Sequence, residues 1–157
     1  MSHKRTFLRL TKVHQDLTIF PLWNTILSME WVVEFDEEFS TWFDALEADL
    51  RDEILSNLNV LAQYGPALRR PRVGNIEGSI YPQMKELIVQ YKGDPWRILF
   101  AFDPERHAIV LVGGNKTGDN RWYKTNVPIA DARFKKHLAE LEAMKKMQRK
   151  LEKEKRK

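Results

Sequence analysis

The apolar positions of the chain change period several times, and each change marks an element. Trp31-Val32-Val33-Glu34-Phe35 is a strand-like run. From Glu37 the period becomes helical: Phe39, Trp42, Phe43, Leu46 and Leu50 fall at i, i+3, i+4, i+7 and i+11. Glu38, Asp44 and Glu47 stay off that stripe, and Asp36 is placed to cap the helix. A second stripe, Ile54, Leu58, Leu61 and Ala62, ends at Gly65-Pro66. Two amphipathic helices with almost no linker predict a helical hairpin. Residues 66–82, with Pro71, Gly74 and Gly78 spaced through them, read as loop. Strands are expected over 85–91, 96–102 and 108–112, with Lys92-Gly93-Asp94-Pro95 and Asp103-Pro104-Glu105-Arg106 as turns between them. Consecutive hairpins make that sheet antiparallel. Gly113-Gly114-Asn115-Lys116-Thr117-Gly118 reads as a flexible loop leaving the last strand, and Pro128 as the opening of a final helix through Ile129, Phe134, Leu138 and Leu141. The order β-α-α-β-β-β-α describes an α+β domain, a helical hairpin packed on an antiparallel β-sheet with a C-terminal helix.

Three segments follow from these patterns. Residues 1–28 show no clean period and are expected to be an N-terminal extension, or the product of a start assigned too far upstream; 29–141 form the domain, and 142–157 a charged helical tail. With 157 residues, 43% hydrophobic and 31% charged, the chain holds one globular domain with a very polar surface. The absence of cysteine excludes disulfides, thiolate metal sites and a cysteine nucleophile, and suits a reducing, cytoplasmic setting. No apolar run approaches the ~20 residues of a membrane helix, and Lys12, His14, Gln15 and Asp16 interrupt any signal-peptide core.

Charge is more telling in its distribution than in its total of +4. Residues 133–157 hold 11 Lys/Arg against 4 Asp/Glu, and the remainder is net −3. Within that remainder, 29–68 carries ten acidic residues and one basic, whereas 69–124 carries ten basic and six acidic. One half would repel a polyanion and the other could hold it.

Common catalytic signatures, GxSxG, HExxH and the Walker loop, are absent, as is an acidic cluster at metal spacing. The four histidines (His3, His14, His107, His137) are scattered, and His107 reads as an exposed turn residue. Basic and aromatic residues instead converge at one end of the sheet: Arg97, Lys116 and the run Arg121-Trp122-Tyr123-Lys124. Cations beside stackable rings suit single-stranded RNA, whose phosphates are neutralised while a base lies on an aromatic face. The same residue types suit metal-free RNA cleavage. The 2′-hydroxyl attacks the neighbouring phosphate, Lys or Arg stabilises the added charge, and Tyr, Lys or His moves protons.

Several short motifs, in order and with the right gaps, carry a family resemblance. Met84-Lys85-Glu86-Leu87, Pro95-Trp96-Arg97, Phe100-Ala101-Phe102-Asp103-Pro104, Ile109-Val110-Leu111, Gly113–Gly118 and Ile129-Ala130-Asp131 resemble the HigB-like, phage-derived branch of the RelE/ParE toxin superfamily over roughly residues 29–141. The resemblance implies the toxin of a type II toxin–antitoxin module: a metal-free, cofactor-free endoribonuclease cutting mRNA on the translating ribosome. It also implies a helix-turn-helix antitoxin as partner. Carried over by position, Arg97, Lys116 and Tyr123 are the expected catalytic residues, with Lys85, Arg121 and Lys124 as RNA-binding residues. One departure stands out. Relatives usually read Lys-Glu-Leu-Arg where this chain reads Lys85-Glu86-Leu87-Ile88, and strand alternation places Ile88 beside Glu86, on the face opposite Leu87 and Val89. Loss of one preorganised donor commonly costs ~10²–10³-fold in rate.

Two other functions stay open on this reading: a non-catalytic ParE-like toxin that binds DNA gyrase, and a degenerate relative that only binds antitoxin. Structural roles compete at single positions too. Arg97 could pair with Glu86 on the surface, Lys116 could be a solvated turn residue, and Trp122 and Tyr123 could anchor the final helix. Arg69, Arg70 and Arg72 read as general attraction for RNA from an exposed loop.

Overall fold

A computed structural model describes residues 30–157, so the expectation for residues 1–28 lies outside the described residues. Strand β1 (Val32–Phe35) runs into helix α1 (Glu37–Asp44), whose start is capped as expected. Asp36 Oδ2 accepts the backbone N–H of Glu38 at 3.0 Å and of Phe39 at 3.2 Å. Helix α2 (Ala48–Tyr64) completes the hairpin. The break comes earlier than the stripe suggested: Leu46 lies in the link and Leu50 belongs to α2. Ala45 and Leu46 return their N–H groups to the carbonyls of Trp42 and Phe43, which winds up the last turn of α1. Tyr91 then holds the link by donating its hydroxyl to Glu47 at 2.6 Å.

Four strands follow: β2 (Val73–Asn75), β3 (Met84–Tyr91), β4 (Asp94–Phe102) and β5 (His107–Asn115), and after them α3 (Trp122–Lys155). The sheet order is β1-β5-β4-β3-β2. All neighbours are antiparallel except β1 and β5, which run parallel because the helical hairpin carries the chain back before the meander begins. Strand β2 lies inside the stretch expected to be loop. At three residues it is too short to show a period, and it exists because Val73, Gly74 and Asn75 pair with Leu87, Glu86 and Lys85.

The sheet is covered on both faces. On one, Leu87, Val89, Ile98, Phe100, Ala108 and Val110 pack against Phe39, Phe43, Ile54, Leu58 and Leu61 of the hairpin. On the other, Met84, Leu99, Ala101, Ile109 and Leu111 pack against Trp122, Val127, Ala130 and Phe134 of α3. Double coverage explains why Ile98–Ala101 and 108–112 are unbroken apolar runs rather than alternating ones. Helix α3 begins six residues before the expected start, with Pro128 inside it. An internal proline forfeits a hydrogen bond, but Trp122 and Val127 are buried on the stretch that precedes it, so packing holds that first stretch.

Strand β5 does not stop at Val112. Ile98, Arg97 and Trp96 of β4 pair with Gly113, Gly114 and Asn115, so the expected loop begins as strand. Just before it the register slips: Leu99 pairs with Val112 but Phe100 with Val110, leaving Leu111 as a bulge. Arg133 of α3 donates Nη1 to the Leu111 carbonyl at 2.7 Å and pairs through Nη2 with Glu38 at 2.6 Å. Past residue 141 α3 continues unbroken as a basic helix that exposes Met144, Met147 and Leu151. Among the described residues no helix is long and apolar enough to cross a membrane.

At the end of the sheet away from the glycines, α3 is tied down by a buried acid. Asp103, in the β4–β5 turn, accepts the backbone N–H groups of Glu105 and His107 at 2.9 Å and meets His137 Nε2 at 2.8 Å. His107 is half-buried, not an exposed turn residue, with Nδ1 3.3 Å from Glu34. Burial pushes the Asp103 carboxyl up, but the hydrogen bond from His137 and those from the backbone outweigh it and hold it below the ordinary value of 3.8. A depressed folded-state pKa stabilises the fold above 3.8, and that contribution is lost as pH falls through the folded value. Asp103→Asn should therefore lower stability by about 1.5–3 kcal/mol at pH 7. The difference from the parent should shrink below pH 3.8, as read by urea denaturation across a pH series; a constant difference would refute this account.

Candidate active site

Glu86 on β3 and Arg97 on β4 project from the α3 face of the sheet, with Ile88 directly opposite Arg97 in register. Arg97 Nε lies 3.6 Å from Glu86 Oε2, and the two side chains are only 11% and 8% exposed. The pairing with Glu86 is real, but it is not the surface pair expected from sequence. It is a desolvated pair, and removing either partner would strand a charge in a dry place. Arg97 Nη1 is bound to the Trp96 carbonyl at 3.0 Å, while Nε has no hydrogen-bond partner.

The third member comes from α3. Tyr123 donates its hydroxyl to Glu86 Oε2 at 2.6 Å. Burial raises the Tyr123 pKa above 10.0, and the hydrogen bond to Glu86 raises it further, with Arg97 opposing. The phenol is thus a firmly held proton donor to a carboxylate. Its position follows from its neighbour: Trp122 lies against Gly114, where a Cβ would come 2.6 Å from the indole Nε1. Trp122 is therefore the anchor of the helix, and Tyr123, one residue on, is turned to Glu86.

Lys116 completes the group, its Nζ 5.3 Å from the centre of the Tyr123 ring. The loop that carries it is cross-braced. Lys116 N–H reaches the Pro95 carbonyl at 3.0 Å, Asn115 donates to Asp94 and accepts from Thr117, and Asp119 accepts the N–H of Arg121. Lys116, Gly118, Asp119, Asn120 and Tyr123 line an open depression of about 530 Å³ at the start of α3. A helix N-terminus there adds a partial positive charge to that of Lys116.

The expected residues separate into three groups. Arg97, Lys116 and Tyr123 come together. Arg121 and Lys124 are exposed at the start of α3 and do not line the depression. Lys85 does not join them: alternation turns it to the opposite face from Glu86, and its Nζ donates to Asn75 Oδ1 at 2.6 Å. Glu86 is the residue that sequence reasoning undervalued. Its signal was a lone carboxylate inside an apolar strand, on the same face as Arg97.

Comparison with known proteins identifies the family. The model of the phage-derived Gp49-like protein family (DUF891) matches residues 41–135, a span that includes Glu86, Arg97, Lys116 and Tyr123. The chain belongs to the Gp49-like family. Two relatives from Mycobacterium tuberculosis (strain ATCC 25618 / H37Rv) carry toxin names. The chain is 46% identical to "Putative toxin HigB3" over 99 residues, 62% of this chain and 85% of that protein. It is 39% identical to "Putative toxin HigB2" over 128 residues, 80% of this chain and 63% of the length of that relative. The HigB-like resemblance read from the motifs is thereby borne out.

For this Gp49-like chain the Tyr123–Glu86 bond makes a spectroscopic prediction. Absorbance titration should show a tyrosine ionising above pH 10.0 that disappears in Tyr123→Phe and moves down in Glu86→Gln. If the Tyr123→Phe difference spectrum titrated at the ordinary value, the hydrogen bond would not persist in solution.

Proposed function

We propose that this protein is the toxin of a type II toxin–antitoxin module and acts as a metal-independent endoribonuclease on mRNA at the ribosome, in the cytoplasm. The observation that carries this reading is the buried Glu86–Tyr123–Arg97 set opening beside Lys116 onto an open depression. Its HigB-named relatives support the toxin role, and a helix-turn-helix antitoxin is the expected partner.

In the proposed reaction the 2′-oxygen attacks the adjacent phosphorus while the 5′-oxygen of the next nucleotide leaves, giving a 2′,3′-cyclic phosphate. Charge builds on the non-bridging oxygens during attack. Arg97 and Lys116 supply the fixed positive groups, which act strongly because the protein has already desolvated Arg97. The proton of the 2′-hydroxyl passes to the Tyr123 oxygen as the phenol gives its own proton to Glu86, so the carboxylate is neutralised and its negative charge is handed outward to the attacking oxygen and the phosphate, where Arg97 and Lys116 meet it. The Tyr123 ring, over which Lys116 Nζ lies, offers a surface for a base.

Cleavage mapped by primer extension in a cell-free translation reaction tests this. The parent should cut ribosome-bound mRNA. Arg97→Lys and Glu86→Gln, which keep similar bulk at a buried pair, should each lose about 10²–10³-fold, and Lys116→Ala about tenfold or more. Circular dichroism melting must show the variants folded. If the parent does not cut mRNA and yet arrests growth, the nuclease reading fails and gyrase inhibition becomes the alternative. A parent that does neither is a relative that only binds antitoxin.

A further inference from the structure

Arg70 stands in a place that general attraction from an exposed loop does not explain. Gly74 on β2 lies directly opposite Glu86 on β3. The point where a Cβ on Gly74 would sit is 3.0 Å from Glu86 Oε1 and 3.2 Å from Arg70 Nη2. The missing side chain leaves a notch in the short outer strand, and the Arg70 guanidinium lies across it from Glu86. Glu86 thus has Tyr123 and Arg97 at Oε2 and faces a second guanidinium from its Oε1 side. Neighbouring Arg72 is spent on Asn57 of α2 at 3.2 Å. No hydrogen bond or ion pair among the described residues holds Arg70, and its side chain is exposed.

From this we infer that Arg70 is a phosphate-binding residue of the same site, and that the RNA backbone runs from the Lys116 depression over Arg97 and across the Gly74 notch to the Arg70 guanidinium. The inference rests on the RNA-cleaving reading and extends it by a direction for the strand. Arg70 has the properties a phosphate contact needs. It is exposed, planar, unspent and adjacent to a desolvated ion pair, so a phosphate oxygen can take its free N–H groups without breaking a bond already made. Ile88 adds no competing charge on that face. It is half-buried opposite Arg97, which leaves Arg70 as the second guanidinium bordering Glu86 among the described residues.

The test separates binding from cleavage. The full chain is titrated with a fluorescent single-stranded RNA made uncleavable by 2′-O-methyl groups, at several salt concentrations, and the same proteins are assayed for mRNA cleavage in translation. Arg70→Gln should weaken binding severalfold and reduce the slope of log affinity against log salt by about 0.7, the release expected for one phosphate contact on a single strand. Arg70→Lys should restore the slope. Arg69→Gln, the same charge change at the adjacent exposed arginine, should alter affinity and slope clearly less than Arg70→Gln, by the loss of general attraction alone. Equal effects of Arg69→Gln and Arg70→Gln would mean general attraction and overturn the inference, as would an unchanged slope in Arg70→Gln. Failure of the nuclease reading looks different: the parent then cuts no mRNA, whatever the salt slopes are.

Discussion

Two indoles press on one stretch of β5 from opposite faces. Trp42 of α1 lies where a Cβ on Gly113 would come within 2.4 Å, and Trp122 of α3 where one on Gly114 would come within 2.6 Å. Consecutive residues of a strand point to opposite faces, so only a glycine pair can accept both rings at once. The bulge at Leu111 sets the phase that makes this possible. Without it Gly113 would fall on the α3 face and the site would face the wrong layer; with it, Gly114 lies opposite Arg97, on the same side as Tyr123. Arg133 takes the Leu111 carbonyl and joins the bulge to α3 and to the start of α1. The site is thus held by packing on all three layers.

The two ends of the sheet carry similar chemistry put to different uses. At one end Asp103 is enclosed by His137, His107 and two backbone N–H groups, with its side chain fully buried. Its acceptor capacity is consumed internally, and it fastens α3 to the β4–β5 turn. At the other end Glu86 shares one oxygen between Tyr123 and Arg97 while Arg97 Nε has no hydrogen-bond partner, and the group opens onto a depression. A buried polar set with spare capacity at an opening is where a ligand can be bound, whereas a saturated one stabilises. Pinning α3 at His137 keeps the first turn, and Tyr123 with it, in place over Glu86.

Position 88 acquires meaning only against this background. An isoleucine opposite Arg97 leaves the floor of the site apolar at that point. A second guanidinium directly across from Arg97 would repel it unless Glu86 or a phosphate stood between them. In this chain the carboxylate is paired with one arginine in the sheet, while a second guanidinium, not bonded to it, lies beside the notch at Gly74.

Much of this was legible in the chain itself, and the reasons are local. The helical hairpin followed from apolar stripes of period 3.6, and the β3–β4 turn from Lys92-Gly93, both of which adopt positive φ. Arg97, Lys116 and Tyr123 were marked by motif and by the gathering of cations and rings. What sequence alone could not decide depended on contacts between distant segments. Strand β2 has no pattern of its own and is strand only because β3 is beside it. Gly113–Asn115 read as loop because glycines usually mark one, and they are strand because two tryptophans, one on each face of the sheet, need bare backbone to pack on. The face of Lys85, the burial of the Glu86–Arg97 pair and the approach of Arg70 to Glu86 were likewise settled by register. Periodicity and composition are properties of neighbours along the chain; register and desolvation are properties of neighbours in space.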